Sequence, residues 1–300
     1  MTSSGRILVS GVSGPIGAAL LPLLKARGFE VTRLVRGGHP KNGQIAWDPA
    51  QPLSPELVSG FEAVVHLAGE TIFGRWTETK KRRILDSRVQ GTSNLAMALA
   101  KTSQRPRVFI SGSAIGYYGD RGDEILRERS SSGEGFLAQV CREWEAATKP
   151  ATEAGIRTVN LRTGIVLSRD GGALPKMLLP FRFGLGGNMG SGDQWWSWIH
   201  VHDLVAGIHH SIKSDLLQGP VNGVSPKPVT NAEFTKILAS ALSRPAIFPV
   251  PAFAARLVFG QMADEMLLAS QRVEPASLIT SGYPFQFVEL SKALKDLLKK

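Results

Sequence analysis

Hydrophobic and polar positions in the first 170 residues alternate between two textures. Short apolar runs, dense in valine, isoleucine and leucine, occur in RILVS (6–10), EVTRLVR (30–36), EAVVHLAGE (62–70), RVFISGS (107–113) and RTVNLRTGIVL (157–167). Runs of that length and composition predict strands buried on both faces. Between them the apolar positions recur at helical spacing, in AALLPLLKARG, which stops at Gly28, and over residues 78–101 and 135–154. Strand alternating with helix predicts an α/β protein: a doubly wound, Rossmann-like parallel sheet with helices on both faces. Pro22 falls inside the first helix, where a missing N–H predicts a kink or an early loosening.

The first strand runs into GVSGPIG (11–17), a GxxGxxG turn feeding a helix. Such a turn aims backbone N–H groups and the positive end of the helix dipole at one point, where a pyrophosphate is stabilised. Gly11 permits the tight turn, Gly14 lets phosphates approach and Gly17 lets helix and strand pack closely. Pro15 takes the first helical position, which needs no N–H, so Ile16 and the remaining turn amides carry the phosphate contact. The second strand ends in Val35-Arg36 with no carboxylate. A carboxylate there would bind the ribose hydroxyls of NAD, whereas a guanidinium accepts the 2′-phosphate of NADP, to which Ser13 can add a hydroxyl.

After Leu167 the texture changes. Residues 171–198 are rich in glycine and carry FRFGLGGNMGSGDQWW, and from Pro226 short helical patterns sit between prolines. Glycine and tryptophan together can wall a ligand site or form an irregular packed loop. These features predict a nucleotide-binding layer over 1–169 plus about 200–224, and a cap from about 170–199 and 225–300.

The 300 residues are 43% hydrophobic, enough for a large core. The apolar runs fall short of a membrane span and the amino-terminal residues do not read as a leader, so a soluble, cytoplasmic protein is expected. The single cysteine, Cys141, excludes an internal disulfide framework and a cysteine-based zinc site; its helical context reads as a packed thiol, and no metal is expected. The net charge of +10 raises nucleic acid as a partner. The basic clusters are not interleaved with aromatics, which favours solvated helix faces or attraction of a phosphorylated small molecule.

The order of GxxGxxG, VVHLAGE, RVQGTSNL, FISGSAIGYYGD, LRTGIVL and WIHVHDL resembles the extended short-chain dehydrogenases/reductases. LPFRFGLGG, NGVSPKPVTNAEF and QRVEPASLITSGYPFQF resemble its epimerase-family branch, which has its own C-terminal domain and some of whose members are described as cell-division inhibitors. The resemblance implies that Leu67, Ala68 and Gly69 pass beneath the adenosine, that Ser111 and Ser113 end the strand under the nicotinamide, and that Thr163 and Val166 flank it. It also implies a departure. Typical members use a tyrosine four residues before a lysine for proton exchange; alignment through Glu145 puts Leu137 and Cys141 at those positions. The serine is kept as Ser113, and Arg88 replaces the usual asparagine, implying a role on the cofactor pyrophosphate or ribose with help from Arg83. Tyr118 sits where the family places a substrate-side tyrosine; with no lysine nearby its phenol, and that of Tyr117, should stay near the ordinary pKa. Glu70 is a further acid/base candidate. His200 and Asp203 read as structural, with Asp203 capping a helix.

Two functions follow from this reading. One is an NADP(H)-dependent oxidoreductase or epimerase acting on an unidentified small molecule, with Ser113 and Tyr118 polarising its oxygen. The other is a non-catalytic NADP(H)-dependent sensor or scaffold.

Overall fold

The computed structural model describes residues 4–299; the first three residues of the stretch read for a leader lie outside it. The chain opens with β1 (Ser4–Ser10), α1 (Pro15–Ala26), β2 (Phe29–Arg36), β3 (Gln44–Trp47) and β4 (Ala63–His66). It continues through α2 (Glu78–Lys101), β5 (Val108–Ala114), α3 (Phe136–Ala146) and β6 (Arg157–Thr163). Then come α4 (Ala173–Arg182), α5 (Val201–Lys213), β7 (Gly219–Gly223), α6 (Asn231–Leu242), α7 (Ala252–Phe259) and α8 (Leu290–Leu298).

Seven strands form one sheet in the order β7-β6-β5-β4-β1-β2-β3, with every pair parallel. The chain moves outward from β1 in both directions, so the order reverses between β1 and β4. Ligands of doubly wound sheets bind at the carboxyl ends of the strands beside that reversal. Ile7, Val9, Val65, Ile110 and Val159 pack one face of the sheet with Leu20 and Leu24 of α1 and Leu204 and Ile208 of α5. Leu8, Val64 and Phe109 pack the other with Leu95 and Leu99 of α2. A separate apolar cluster joins α4, α6 and α8 around Trp196, Trp198 and Phe234.

Several expectations need correction. The run 157–167 is two strands: after Thr163 the chain changes partners, and Ile165–Leu167 pairs in parallel with Trp198–His200. A Cβ at Gly164 would lie 2.5 Å from Ser197 O, so the crossing is possible only with glycine there. The helix expected over 135–154 stops at Ala146 and resumes as the short Lys149–Glu153. α1 runs through Pro22 to Ala26, so it does not loosen early. The cap of α5 is His200, whose Nδ1 accepts from His202 N–H at 3.0 Å. Asp203 is buried instead as an anchor: its carboxylate accepts from the N–H groups of Gln286 (2.9 Å) and Phe287 (2.7 Å).

Candidate functional site

At the carboxyl end of β1 the glycine turn has the geometry of an anion cradle. Gly11 has φ +73°, and a Cβ on it would lie 2.5 Å from the Leu67 backbone, so the turn touches the loop after β4 directly. A Cβ at Gly17 would lie 2.4 Å from Gly11 O, which fixes how closely α1 approaches the turn. Gly14 differs. It is extended (φ −80°, ψ 162°), and a Cβ there would meet only Gly11 O at 3.4 Å, so its space is left open by the protein. Gly14 N–H is spent on Gly11 O (3.1 Å), Pro15 has no N–H, and the first helical bond is Ala18 N–H to Gly14 O (2.9 Å). Ile16 and Gly17 therefore carry the helix amides ahead of the ladder, where an anion is stabilised. The Pro15 ring has its own partner: Gly171 and Gly172 pass over it, with Cβ positions 3.5 and 3.7 Å from the ring carbons. The turn thus exchanges one amide for a contact with the segment that opens α4.

β2 and β3 end at a groove of about 470 Å³ lined by Arg36, Gly37, Ala46, Trp47, Asp48 and Pro49. Arg36 is exposed at its rim, as Ser13 is at the turn. Val35, paired with Ala46, is half-buried near the end of β2, and Leu67 and Ala68 pass against Gly11 at the end of β1. Beyond them Glu70 receives Lys80 Nζ at 2.6 Å. That bond, with the charges of Lys80, Arg83 and Arg36 against a desolvation effect, holds the Glu70 carboxyl below its ordinary range. Arg83 is exposed. Arg88 is turned inward: its Nη1 donates to Glu70 O (3.0 Å) and Ile84 O (3.2 Å), and its guanidinium lies 5.0 Å from the Trp144 ring centroid. Burial pulls its pKa down. Arg88 therefore shapes the 67–70 loop from beneath, with a Cβ at Gly69 only 3.3 Å from its Cζ.

Under this loop lies a residue that the sequence reading passed over. His66 ends β4 with no exposed surface, and its Nδ1 is 2.6 Å from Ser10 Oγ. Leu67 N–H donates to the same Oγ at 3.2 Å. Ser10 Oγ and His66 Nδ1 share one hydrogen bond, and Nε2 on the other side of the ring has no hydrogen-bond partner. Desolvation pushes the His66 pKa down to about 4.

At the carboxyl ends of β5, β6 and β7 the residues form a closed polar network. Ser113 Oγ donates to Glu145 Oε1 at 2.7 Å. Arg162 grips the same carboxylate through Nε and Nη2, both at 2.8 Å, and is only 3% exposed. Arg162 also donates to the Tyr118 hydroxyl (3.0 Å) and to Glu128 O (3.2 Å), and lies 3.4 Å from the Tyr117 ring centroid. The Tyr118 phenol has no exposed surface and donates to Asn222 Oδ1 at 2.7 Å. Its burial pushes the pKa up to about 12, partly opposed by Arg162. A cleft-facing phenol of ordinary pKa was expected; the sheet instead brings Arg162 and Asn222 to it from β6 and β7. Ser111 is buried on β5, donating to Gly112 O (3.3 Å), while Thr163 and Val166 are half-buried at the strand crossing. Leu137 packs against Gly116, and the Cys141 thiol is buried, with desolvation raising its pKa to about 11. Glu265 reaches across from the π-helical turn Ala263–Leu267 and caps α3, accepting from Phe136 N–H (3.0 Å) and Leu137 N–H (2.7 Å).

This sheet order, with a glycine cradle at its reversal point, defines a dinucleotide-binding protein of the doubly wound class. The chain belongs to the NAD dependent epimerase/dehydratase family, whose model matches residues 7–222; residues 250–297 match a domain of unknown function, DUF1731. It is 40% identical to human epimerase family protein SDR39U1 over 98% of this chain and 99% of that protein. A crystal structure of human SDR39U1 (isoform 2) with NADPH superposes with a TM-score of 0.90 over 97% of this chain and 98% of the other, at 40% identity. A nucleoside-diphosphate sugar epimerase from Corynebacterium glutamicum, also 40% identical, has a TM-score of 0.82 over 98% of this chain and 58% of its own.

Proposed function

We propose that this chain binds NADP(H) along the carboxyl edge of its sheet and uses it in hydride transfer to or from a carbonyl or alcohol carbon of a small molecule. The observation that carries the binding is the cradle at Gly14, open where the neighbouring glycines are tightly packed. The relative crystallised with NADPH supports the same reading. Ile16 and Gly17 N–H hold the diphosphate; Arg36 and Ser13 take the 2′-phosphate. Leu67, Ala68 and Gly69 form the floor under the adenosine, and Ser111, Ser113, Thr163 and Val166 border the nicotinamide. When bound, NADP(H) supplies or accepts the hydride. Ser113, its proton committed to Glu145, offers its oxygen as an acceptor for a substrate hydroxyl.

Isothermal titration with NADPH and NADH tests the binding. Arg36→Ala should weaken NADPH by about tenfold or more, the worth of a hydrogen bond to a charged group, while leaving NADH nearly unchanged. Equal losses for the two nucleotides would remove the 2′-phosphate role.

A second reading, a sensor that uses cofactor occupancy without turnover, is favoured by Leu137 and Cys141 at the proton-exchange positions and by the sealed Tyr118 phenol. Loss of NADPH absorbance with any member of a panel of aldehydes and ketones would defeat it.

A further inference from the structure

α7 is an unusual helix for the outside of a protein. Its sequence, AFAARLVF, has one charged residue, and Ala255 is the only one of its eight residues that is buried. Phe253 is 72% exposed and Leu257 74%. The apolar face continues beyond the helix. Residues 183–190 run beside 245–250, tied by Phe248 N–H to Gly186 O (3.0 Å), Val250 N–H to Asn188 O (2.8 Å) and Gly190 N–H to Val250 O (2.9 Å). Phe183, at the end of α4, is 74% exposed and Leu179, one turn earlier, 61%. Phe73 links the two helices, meeting Phe259 of α7 ring to ring at 5.8 Å and Lys176 of α4 at 4.2 Å.

The charge on this face is predominantly positive. Residues 173–190 and 241–260 contain Lys176, Arg182, Arg244 and Arg256 and no aspartate or glutamate. Arg256 is paired with Asp264 at 2.8 Å, and Arg75 donates to Leu257 O of α7 at 3.2 Å, so Arg75, Lys176, Arg182 and Arg244 border the apolar face. A second copy of the chain docking by two-fold symmetry would set this cationic rim against an identical one with few anions to pair it, which disfavours a homodimer through this face. Large exposed apolar side chains with an excess of cations at the rim complement an anionic lipid surface: the apolar groups enter the acyl boundary and the cations meet the headgroups. No described helix is long and apolar enough to cross a membrane, so the contact lies in the plane of the interface.

We propose that the face built by α4, the 183–190 and 245–250 segments and α7 is a docking surface for anionic lipid bilayers. The assignment is independent of the cofactor reading.

Flotation of the full chain with extruded vesicles tests it, comparing phosphatidylcholine alone with a three-to-one mixture of phosphatidylcholine and phosphatidylglycerol. Binding should require the anionic lipid and fall with added salt. Phe253→Glu/Leu257→Glu should reduce it about tenfold or more. Lys25→Gln/Lys101→Gln, with the same net charge change at the far ends of α1 and α2, should leave it within about twofold. Arg182→Gln/Arg244→Gln keeps every apolar side chain and should weaken binding at low salt. Three results overturn the proposal: no flotation with either vesicle, equal losses in the Phe253/Leu257 and Lys25/Lys101 variants, or a concentration-dependent dimer that the Phe253/Leu257 variant dissolves without any vesicle binding.

Discussion

Ser113 donates to Glu145 at 2.7 Å, while Arg162 holds the same carboxylate with two bonds. The three side chains depend on one another unequally. Removing the guanidinium strands a largely buried carboxylate, which costs about 3–5 kcal/mol when one member of a buried pair is lost. Removing the serine hydroxyl takes away one hydrogen bond, worth about 1 kcal/mol. Denaturant melts should therefore place Arg162→Met well below Ser113→Ala in stability. Similar losses in the two variants would mean that the serine, not the arginine, holds Glu145.

The glycine turn separates folding from binding. Gly14→Ala adds a methyl into open space on a backbone that alanine adopts readily, so the variant should melt at the wild-type temperature when no nucleotide is present. The same methyl occupies the cradle, and the melting-point rise on adding NADPH should shrink or vanish. Gly17→Ala drives a Cβ to 2.4 Å from Gly11 O and should destabilise the apo-protein by about 1–3 kcal/mol through overpacking. Thermal shift of both variants, with and without NADPH, distinguishes them. Loss of apo stability in Gly14→Ala would show that its space is structural.

Glu265 caps a helix from 128 residues away in sequence, counted from Leu137. Its carboxylate satisfies two N–H groups at the positive end of α3, so Glu265→Ala should cost about 1–2 kcal/mol. Glu265→Gln keeps an acceptor but loses the charge, and should recover roughly half of that. Urea melts measure both. A neutral effect from Glu265→Ala would leave the joint between α3 and the C-terminal segment to apolar packing alone.

The strands that were legible in the sequence are those whose apolar runs fill the middle of the sheet. β3, QIAW, and β7, GPVNG, escaped because each is an edge strand with one neighbour, and glycine, proline and polar residues are tolerated where only one side is paired. The cradle was legible because its chemistry is local: strand, glycine spacing and helix lie within a few residues. The polar network was not. Glu145 and Arg162 are 17 positions apart on a helix and a strand, and only the parallel order of β5, β6 and β7 brings Ser113, Arg162 and Asn222 together. The raised pKa of Tyr118 was missed for the same reason, since its partners come from strands later in the chain. His66 sat inside an apolar run, where its only mark was being the one titratable residue of VVHLAG.

That buried histidine has a consequence for acid stability. In the unfolded chain its imidazole titrates near the ordinary value of 6.5, whereas burial holds it down to about 4 in the folded protein. Between those values the unfolded state binds a proton that the native state refuses, so stability is complete above about pH 6.5 and is lost progressively toward pH 4. The difference corresponds to about 3 kcal/mol at most, to order of magnitude. His200 and His209 are also lowered by burial and act in the same direction, so the wild-type slope alone does not isolate His66. His66→Leu removes the titrating group while keeping an apolar side chain under Trp47. It should lower stability at pH 7 by losing the Ser10 contact, yet lose less on acidification to pH 4.5 than the wild type does. Urea melts at the two pH values give both slopes. Parallel slopes would mean that His66 protonates as easily in the folded chain as in the unfolded one, and would overturn the assignment of the acid loss to this desolvated imidazole with its unpartnered Nε2.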